Sequence, residues 1–298
     1  MRVEGLEKEK VLDFVAYCKK HRNEIDDSYL YDSDLLEFEI RDENPTYLAI
    51  NQQDEIIGVA SLVMDDYHNR GKRARFRIFH CKTQDIQCYQ QLLEAVLKHT
   101  AGLDKVFLFI PVVNSKLIEM VEGLKFSVER YAFLLVREDL DVPEIHFPEG
   151  YELRTFRPRQ DENNWLTVRN IAFSTLKGSE TPLTTEGVKK LLTYDDYLEG
   201  GMMVLFYQEK PVGVIRGAHD EYDGAPIMNI GPVAILPEYQ GRGLGRSLLR
   251  ASLRFAKEKG YKRTILSVNG ENDRAQALYI QEGFKQVEAV VCYQYFLR

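Results

Sequence analysis

The chain has 298 residues, 44% hydrophobic and 29% charged, with a formal net charge of −7. The length suggests two domains, each with enough chain for its own core. The acidic balance argues against nucleic acid or an acidic membrane surface as the main partner. The Met-Arg-Val-Glu start lacks an apolar signal region, and no apolar stretch reaches membrane-spanning length. A cytoplasmic protein with no membrane partner is expected. The cysteines Cys18, Cys81, Cys88 and Cys292 form neither a Cys-x-x-Cys pair nor a zinc spacing. Buried free thiols and no metal site are expected.

In the first half, Val11, Leu12, Phe14, Val15 and Cys18 carry the spacing of an amphipathic helix from Lys8 to His21. The acidic, Tyr-rich stretch Asp26 to Glu39 reads as a second helix with loops. Strands follow at Thr46 to Ile50 and Glu55 to Val63, joined by a turn over 51–54. Arg75 to Phe79 alternates as a half-buried strand. Cys88 to His99 reads as a helix, Lys105 to Ile110 as a strand, Lys116 to Glu122 as a helix and Arg130 to Arg137 as a closing strand. The stretch from Asp141 to Gly150 carries two prolines and a glycine and is the best linker. The expected domains are therefore 1–142 and 150–298.

The second half opens with a strand, Tyr151 to Arg157. Trp165, Leu166, Val168, Ile171 and Ala172 mark a helix over Glu162 to Phe173. Thr184 or Thr185 caps a helix from Glu186 to Leu192. Met202 to Gln208 and Pro211 to Ala218 form a hairpin, and His219 to Gly224 reads as a polar turn. Ile227 to Leu236 is then the central strand, interrupted by Gly231-Pro232. Proline donates no ladder hydrogen bond, so a bulge or local splay is expected there.

The stretch Val233-Ala-Ile-Leu-Pro-Glu-Tyr-Gln-Gly-Arg-Gly-Leu-Gly245 concentrates the chemistry. Pro237 stops a short apolar run, and three glycines then fall within six residues. Glycine lets backbone N–H groups converge on one point and approach a ligand closely. A helix from Leu244 to Lys259 follows at once, and its N-terminus attracts anions. A pyrophosphate is the natural ligand of such a loop. No Gly-Lys-Ser/Thr follows, and the alternating Gly241, Gly243 and Gly245 lack the dinucleotide spacing Gly-x-Gly-x-x-Gly.

This loop resembles the pyrophosphate loop of the GNAT superfamily of acyl-CoA-dependent N-acyltransferases, Gln/Arg-x-x-Gly-x-Gly/Ala after an apolar strand. Gln240, Gly243 and Gly245 fill the pattern, with Pro237 at the strand end. Downstream, Asn272, Ala275, Leu278, Tyr279, Gly283 and Phe284 fill a second family signature, Asn-x-x-Ala-x-x-Leu-Tyr…Gly-Phe. Together the motifs cover about the last half of the chain. The resemblance implies an α+β fold, a mixed central sheet flanked by helices. It implies acetyl-CoA as donor and a primary amine of a small molecule or protein as acceptor. It places the pantetheine arm against Val233, Ala234 and Ile235, where the central strand splays from the next. The pyrophosphate falls on Gln240, Gly241, Arg242, Gly243, Leu244, Gly245 and Arg246. Asn272 either caps its helix or touches the cofactor, and Tyr279 is the general acid for the leaving thiolate. The base stays open among His219, Asp220, Glu221, Asp223 and a water relay.

The first half repeats the same order of elements. Ile57-Gly-Val-Ala corresponds to Val212-Gly-Val-Ile, and Glu122-Gly-Leu-Lys to Glu282-Gly-Phe-Lys. Two copies of one fold are expected. The first copy lacks the chemistry: no glycine lies between Gly71 and Gly102, Lys82 to Gln87 fills the loop position, and Glu119 stands opposite Tyr279. A single acetyl-CoA site, in the second half, is expected. A reading from another class is a non-catalytic acyl-CoA-binding regulatory module, and turnover separates it from an enzyme.

Overall fold

The computed structural model describes residues 1–139 and 141–297. The chain divides into two compact units, Met1–Ala132 with Ala289–Arg298, and Phe133–Glu288.

The first unit contains β1 (Arg2–Gly5), α1 (Val11–His21), α2 (Asp32–Leu36), β2 (Thr46–Ile50), β3 (Ile56–Val63), α3 (Asp66–Arg70), β4 (Arg73–Cys81), α4 (Ile86–Leu97), β5 (Lys105–Pro111) and α5 (Ser115–Gly123). The strand β6 (Ser127–Arg137) begins in it. The sheet order is β1-β2-β3-β4-β5, antiparallel except for the parallel pair β4 and β5. That pair holds only from Arg73↔Lys105 to Arg75↔Phe107. Both strands run on well beyond it and separate.

The second unit contains β7 (Tyr151–Thr155), α6 (Glu162–Phe173), α7 (Thr185–Leu191), β8 (Tyr197–Tyr207), β9 (Lys210–Tyr222), β10 (Ala225–Ile235), α8 (Leu244–Glu258), β11 (Thr264–Asn269) and α9 (Asp273–Gln281). Its order is β7-β8-β9-β10-β11, again antiparallel except for one parallel pair, β10 and β11. The last strand, β12 (Lys285–Phe296), begins in this unit.

The repeat of elements has a packing counterpart. Gly58 of β3 faces Cys81 in the ladder, and a Cβ there would stand 2.8 Å from the Cys81 sulfur and 3.1 Å from Leu92 of α4. Gly213 of β9 faces Ile235, and a Cβ there would stand 2.7 Å from Ile235 and 3.1 Å from Leu248 of α8. In each unit one glycine lets the long helix press onto the sheet.

The unit boundaries differ from 1–142 and 150–298 in one respect. The closing strands are exchanged. Val290 to Phe296 of β12 pair antiparallel with Pro111 to Lys105 of β5 in the first unit. Val291 and Tyr293 enter the first hydrophobic core, whereas Leu135 of β6 enters the second beside Trp165 and Phe284. Strand pairing runs through backbone groups common to every residue, so the repeat carries no signal for which sheet receives a strand. All four cysteines are free and buried.

Candidate active site

The central strand β10 surfaces where its partner leaves it. Its pairing with β11 is confined to Met228↔Thr264 and Asn229↔Ile265. On its other edge the register with β9 shifts between Ile230 and Val233, around the cis bond Gly231–Pro232. Gly231, Pro232 and Val233 are half-buried, while Ile230, Ala234 and Ile235 on either side are buried. Pairing with β9 resumes at Val233↔Ile215 and holds through Ala234↔Val214 and Ile235↔Gly213. The opposite edge of these residues therefore has no ladder partner in β11, as the splay expected at Pro232 requires.

The loop follows. Pro237–Tyr239 form a single 3-10 turn, and Gly241 and Gly243 adopt φ of +80° and +78°. Those angles favour glycine at both positions. Gly243 is the N-cap of α8, and no side chain caps that helix. Gly245 is different. It is the second residue of α8 and has no positive φ. A Cβ there would meet nothing closer than Leu278 at 3.9 Å. Neither backbone angle nor protein packing calls for this glycine. The open helix end and the backbone N–H groups around it fit an anion.

The side chains in the loop are largely occupied by the protein. Gln240 Nε2 donates to the Ile235 carbonyl at 3.0 Å, so Gln240 ties loop to strand, and that carbonyl is already taken. Arg242 lies over the Tyr239 ring at 5.3 Å and donates to the Glu238 carbonyl at 3.0 Å. Arg246 donates to Gln281 at 2.5 Å and pairs with Glu282 at 3.2 Å. Arg250 grips the same carboxylate with two bonds of 2.7 and 2.8 Å. These arginines fasten α8 to the end of α9. The side chains of Gln240, Arg242 and Arg246 are thus engaged within the protein, and the backbone N–H groups at the helix start are what fits an anion.

Sequence reasoning missed Arg274. It is exposed, and its Nη2 lies 3.6 Å from the position of a Cβ on Gly241. It forms no ion pair among the described residues. A cation in the first turn of a helix opposes the helix dipole, and that mismatch on α9 is the signal that could have found it.

Asn272 is the cap. Its side chain accepts from the Ala275 N–H at 3.2 Å at the start of α9. Tyr279, two turns on, is 8% exposed and stacks edge-on against Phe284 with ring centres 6.0 Å apart. Its hydroxyl hydrogen-bonds to no described residue, yet it is absent from the fully buried polar atoms without partners. It therefore keeps a route to the surface. Burial pushes the phenol up to about 12.

The acidic turn lies elsewhere than expected. β9 and β10 run on as strands to Tyr222 and Ala225, and only Asp223 and Gly224, both with positive φ, make the turn. His219 and Tyr222, the last strand residue before Asp223, lie four and seven residues along β9 from Ile215, the partner of Val233. At 3.3 Å per residue that is roughly 13 and 23 Å. His219 bonds Tyr261 at 2.7 Å and Asp220 accepts from Asn229 at 2.9 Å. None of the four candidate bases of that segment stands beside Val233.

Residues 165–284 match the Acetyltransferase (GNAT) family. The matched segment lies within the second unit. Among curated relatives, a mycothiol acetyltransferase from Saccharomonospora viridis is 29% identical over 68% of this chain and 67% of its own length. One from Arthrobacter sp. is 29% identical over 55% of this chain and 52% of its own length. The chain thus spans about half to two thirds of these relatives. A tandem GNAT protein from the clavulanic acid biosynthesis pathway matches with a TM-score of 0.70 and 13% identity, over 99% of this chain and 98% of that one. That likeness extends the fold to both units.

Proposed function

We propose that the protein is an N-acetyltransferase that moves an acetyl group from acetyl-CoA to a primary amine by direct attack on the thioester. The observation that carries this reading is the free edge of β10 from Gly231 to Val233, leading straight into an uncapped helix behind Gly243. The free edge suits the amide-bearing arm of the cofactor, and the helix end suits its pyrophosphate, with Arg274 alongside. The relatives described above are mycothiol acetyltransferases, which favours a small-molecule amine over a protein.

A free alkylamine with pKa near ~10.4 is neutral in only about one molecule in 2,500 at pH 7, a deficit of about 4.6 kcal/mol. Desolvation in the cleft offsets part of it, and the proton leaves through water. A backbone N–H of β10 at the parting point holds the carbonyl oxygen as charge develops. The carbon–nitrogen bond forms, the carbon–sulfur bond breaks, and the thiolate takes a proton or hydrogen bond from Tyr279. The phenol stays neutral at physiological pH because burial holds it near 12. A thiol titrates near ~8.5 in water, but the same burial raises it and brings the two groups closer.

The test is turnover of acetyl-CoA with a panel of small primary amines, read as free thiol. Amine-dependent release that disappears in Gly245→Glu supports the reading. CoA binding without release for any amine favours a regulatory module instead.

A further inference from the structure

The first unit contains a cavity of about 240 Å³ that the acyl-transfer reading does not use. Tyr29, Asp34, Glu37, Phe38, Glu43 and Arg77 form much of its wall. Arg77 stands on β4 two residues past Arg75↔Phe107, the last pair before β4 and β5 separate.

Arg77 is unusual for a cation withdrawn from water. One guanidinium nitrogen donates to the Tyr29 carbonyl at 3.1 Å. The group lies 5.4 Å from the Phe38 ring centre and 5.8 Å from that of Tyr29. Its Nε is fully buried with no hydrogen-bond partner. Among the described residues no carboxylate forms an ion pair with it. Its neighbour Arg75 shows the usual solution, an ion pair with Asp26 at 2.5 Å. Guanidinium remains charged in proteins, and charges that leave water are normally paired. Desolvation pulls the Arg77 pKa down, with Asp34 acting against it. Its remaining guanidinium N–H groups, on a residue that lines the cavity, suit a carboxylate brought by a ligand.

The wall also carries the carboxylates Asp34, Glu37, Glu39, Glu43 and Asp65, and a second cation, Arg41, which is paired with Glu39 at 2.6 Å. Asp34, Glu37 and Glu43 form no ion pair among the described residues. Burial raises the Asp34 carboxyl and Arg77 lowers it, so the two sense each other without touching as an ion pair. A simple anion is repelled by the carboxylates of the wall, and a simple cation by Arg77. A zwitterion satisfies both, and the Tyr29 and Phe38 rings offer apolar contact beside the charges. The volume lies below the ~300–1,000 Å³ usual for drug-sized ligands and suits something smaller.

We propose that the first unit binds a free α-amino acid, with its carboxylate on Arg77, its ammonium facing Asp34, Glu37 and Glu43, and its side chain against Tyr29 and Phe38. This does not depend on the activity of the second unit.

The experiment is calorimetric titration of the full chain with L-leucine and L-methionine, alongside isopentylamine and 4-methylpentanoate, which each keep one charged end of leucine. The expected result is binding of at least one amino acid, with both half-molecules at least about tenfold weaker. Arg77→Met and Asp34→Asn should each weaken the amino acid about tenfold or more, while CoA affinity stays as in the wild type and reports an intact fold. No heat from either amino acid at millimolar concentration overturns the proposal. So does a half-molecule that binds as well as leucine, or an Asp34→Asn chain that folds and binds unchanged.

Discussion

The turn from β4 to α4 and the turn from β10 to α8 occupy the same place in the two copies and differ in what they leave open. In the first unit Asp85 caps α4, accepting from the Gln87 N–H at 2.9 Å. In the second, two glycines with positive φ lead to α8, which no side chain caps. The strands and helices around both turns pack alike, down to the glycine that lets each helix approach its sheet. Packing has kept the scaffold in both copies, while the helix end is free to change because it bears little of that packing. One end is satisfied from within by a carboxylate, which also repels phosphate. The other has no side-chain cap. A second contrast follows on the next helix, where Glu119 of α5 is exposed and Tyr279 of α9 is buried.

The largest effect is expected from Gly245→Glu. The site has room for a side chain, so the fold should hold, but an anion would stand where the pyrophosphate binds. CoA affinity measured by calorimetry should fall by more than about 100-fold, the loss of at least two charge-assisted hydrogen bonds. Gly243→Glu should do the same with some added strain, because its φ is +78°.

Next comes Tyr279→Phe, which removes one hydroxyl and keeps the ring against Phe284. Turnover should drop by about 10²–10⁴-fold, toward the low end if water replaces the donor, with CoA affinity within about twofold. Glu119→Gln in the first copy should leave turnover unchanged. If kcat holds in Tyr279→Phe while chemistry limits the rate, the phenol is a packing residue and the contrast between α5 and α9 is not catalytic.

A smaller effect concerns acid stability. His80 of β4 is held in neutral form by burial, with its pKa lowered to about 4 from an ordinary 6.5. The unfolded chain therefore takes up the proton first as pH falls. Stability is intact above about pH 6.5 and declines by up to about 3 kcal/mol as pH approaches 4. Urea denaturation followed by circular dichroism at pH 7 and pH 4.5 should show the loss, and His80→Phe should flatten it. The smallest effect is Asp85→Ala, which should cost about 1 kcal/mol through its helix cap and leave CoA binding and turnover as they were.

Much of this was legible in the sequence because the signals are local. The helix predicted over Glu162 to Phe173 is found at those residues, and the glycines at 241 and 243 have the backbone angles that their identity suggested. Pro232 announced the break in β10 because a missing N–H is a property of the residue itself. The exchange of closing strands was not legible, since β6 and β12 pair through backbone alone. Nor were the ends of β9 and β10: a run of His, Asp and Glu looks like a loop until cross-strand partners such as Asn229 and Asp220 are known. The partners of the Gln240 and Arg246 side chains were not legible for a related reason. The sequence shows a donor near a loop and not the Ile235 carbonyl or the Glu282 carboxylate that engages it.

The central claim is that only the second copy holds the cofactor. Calorimetric titration of the full chain with CoA tests it directly, with Gly245→Glu measured beside the wild type. One CoA per chain in the wild type and none in the variant is the expected result. Two CoA per chain, or one that persists at wild-type affinity in Gly245→Glu, would contradict it.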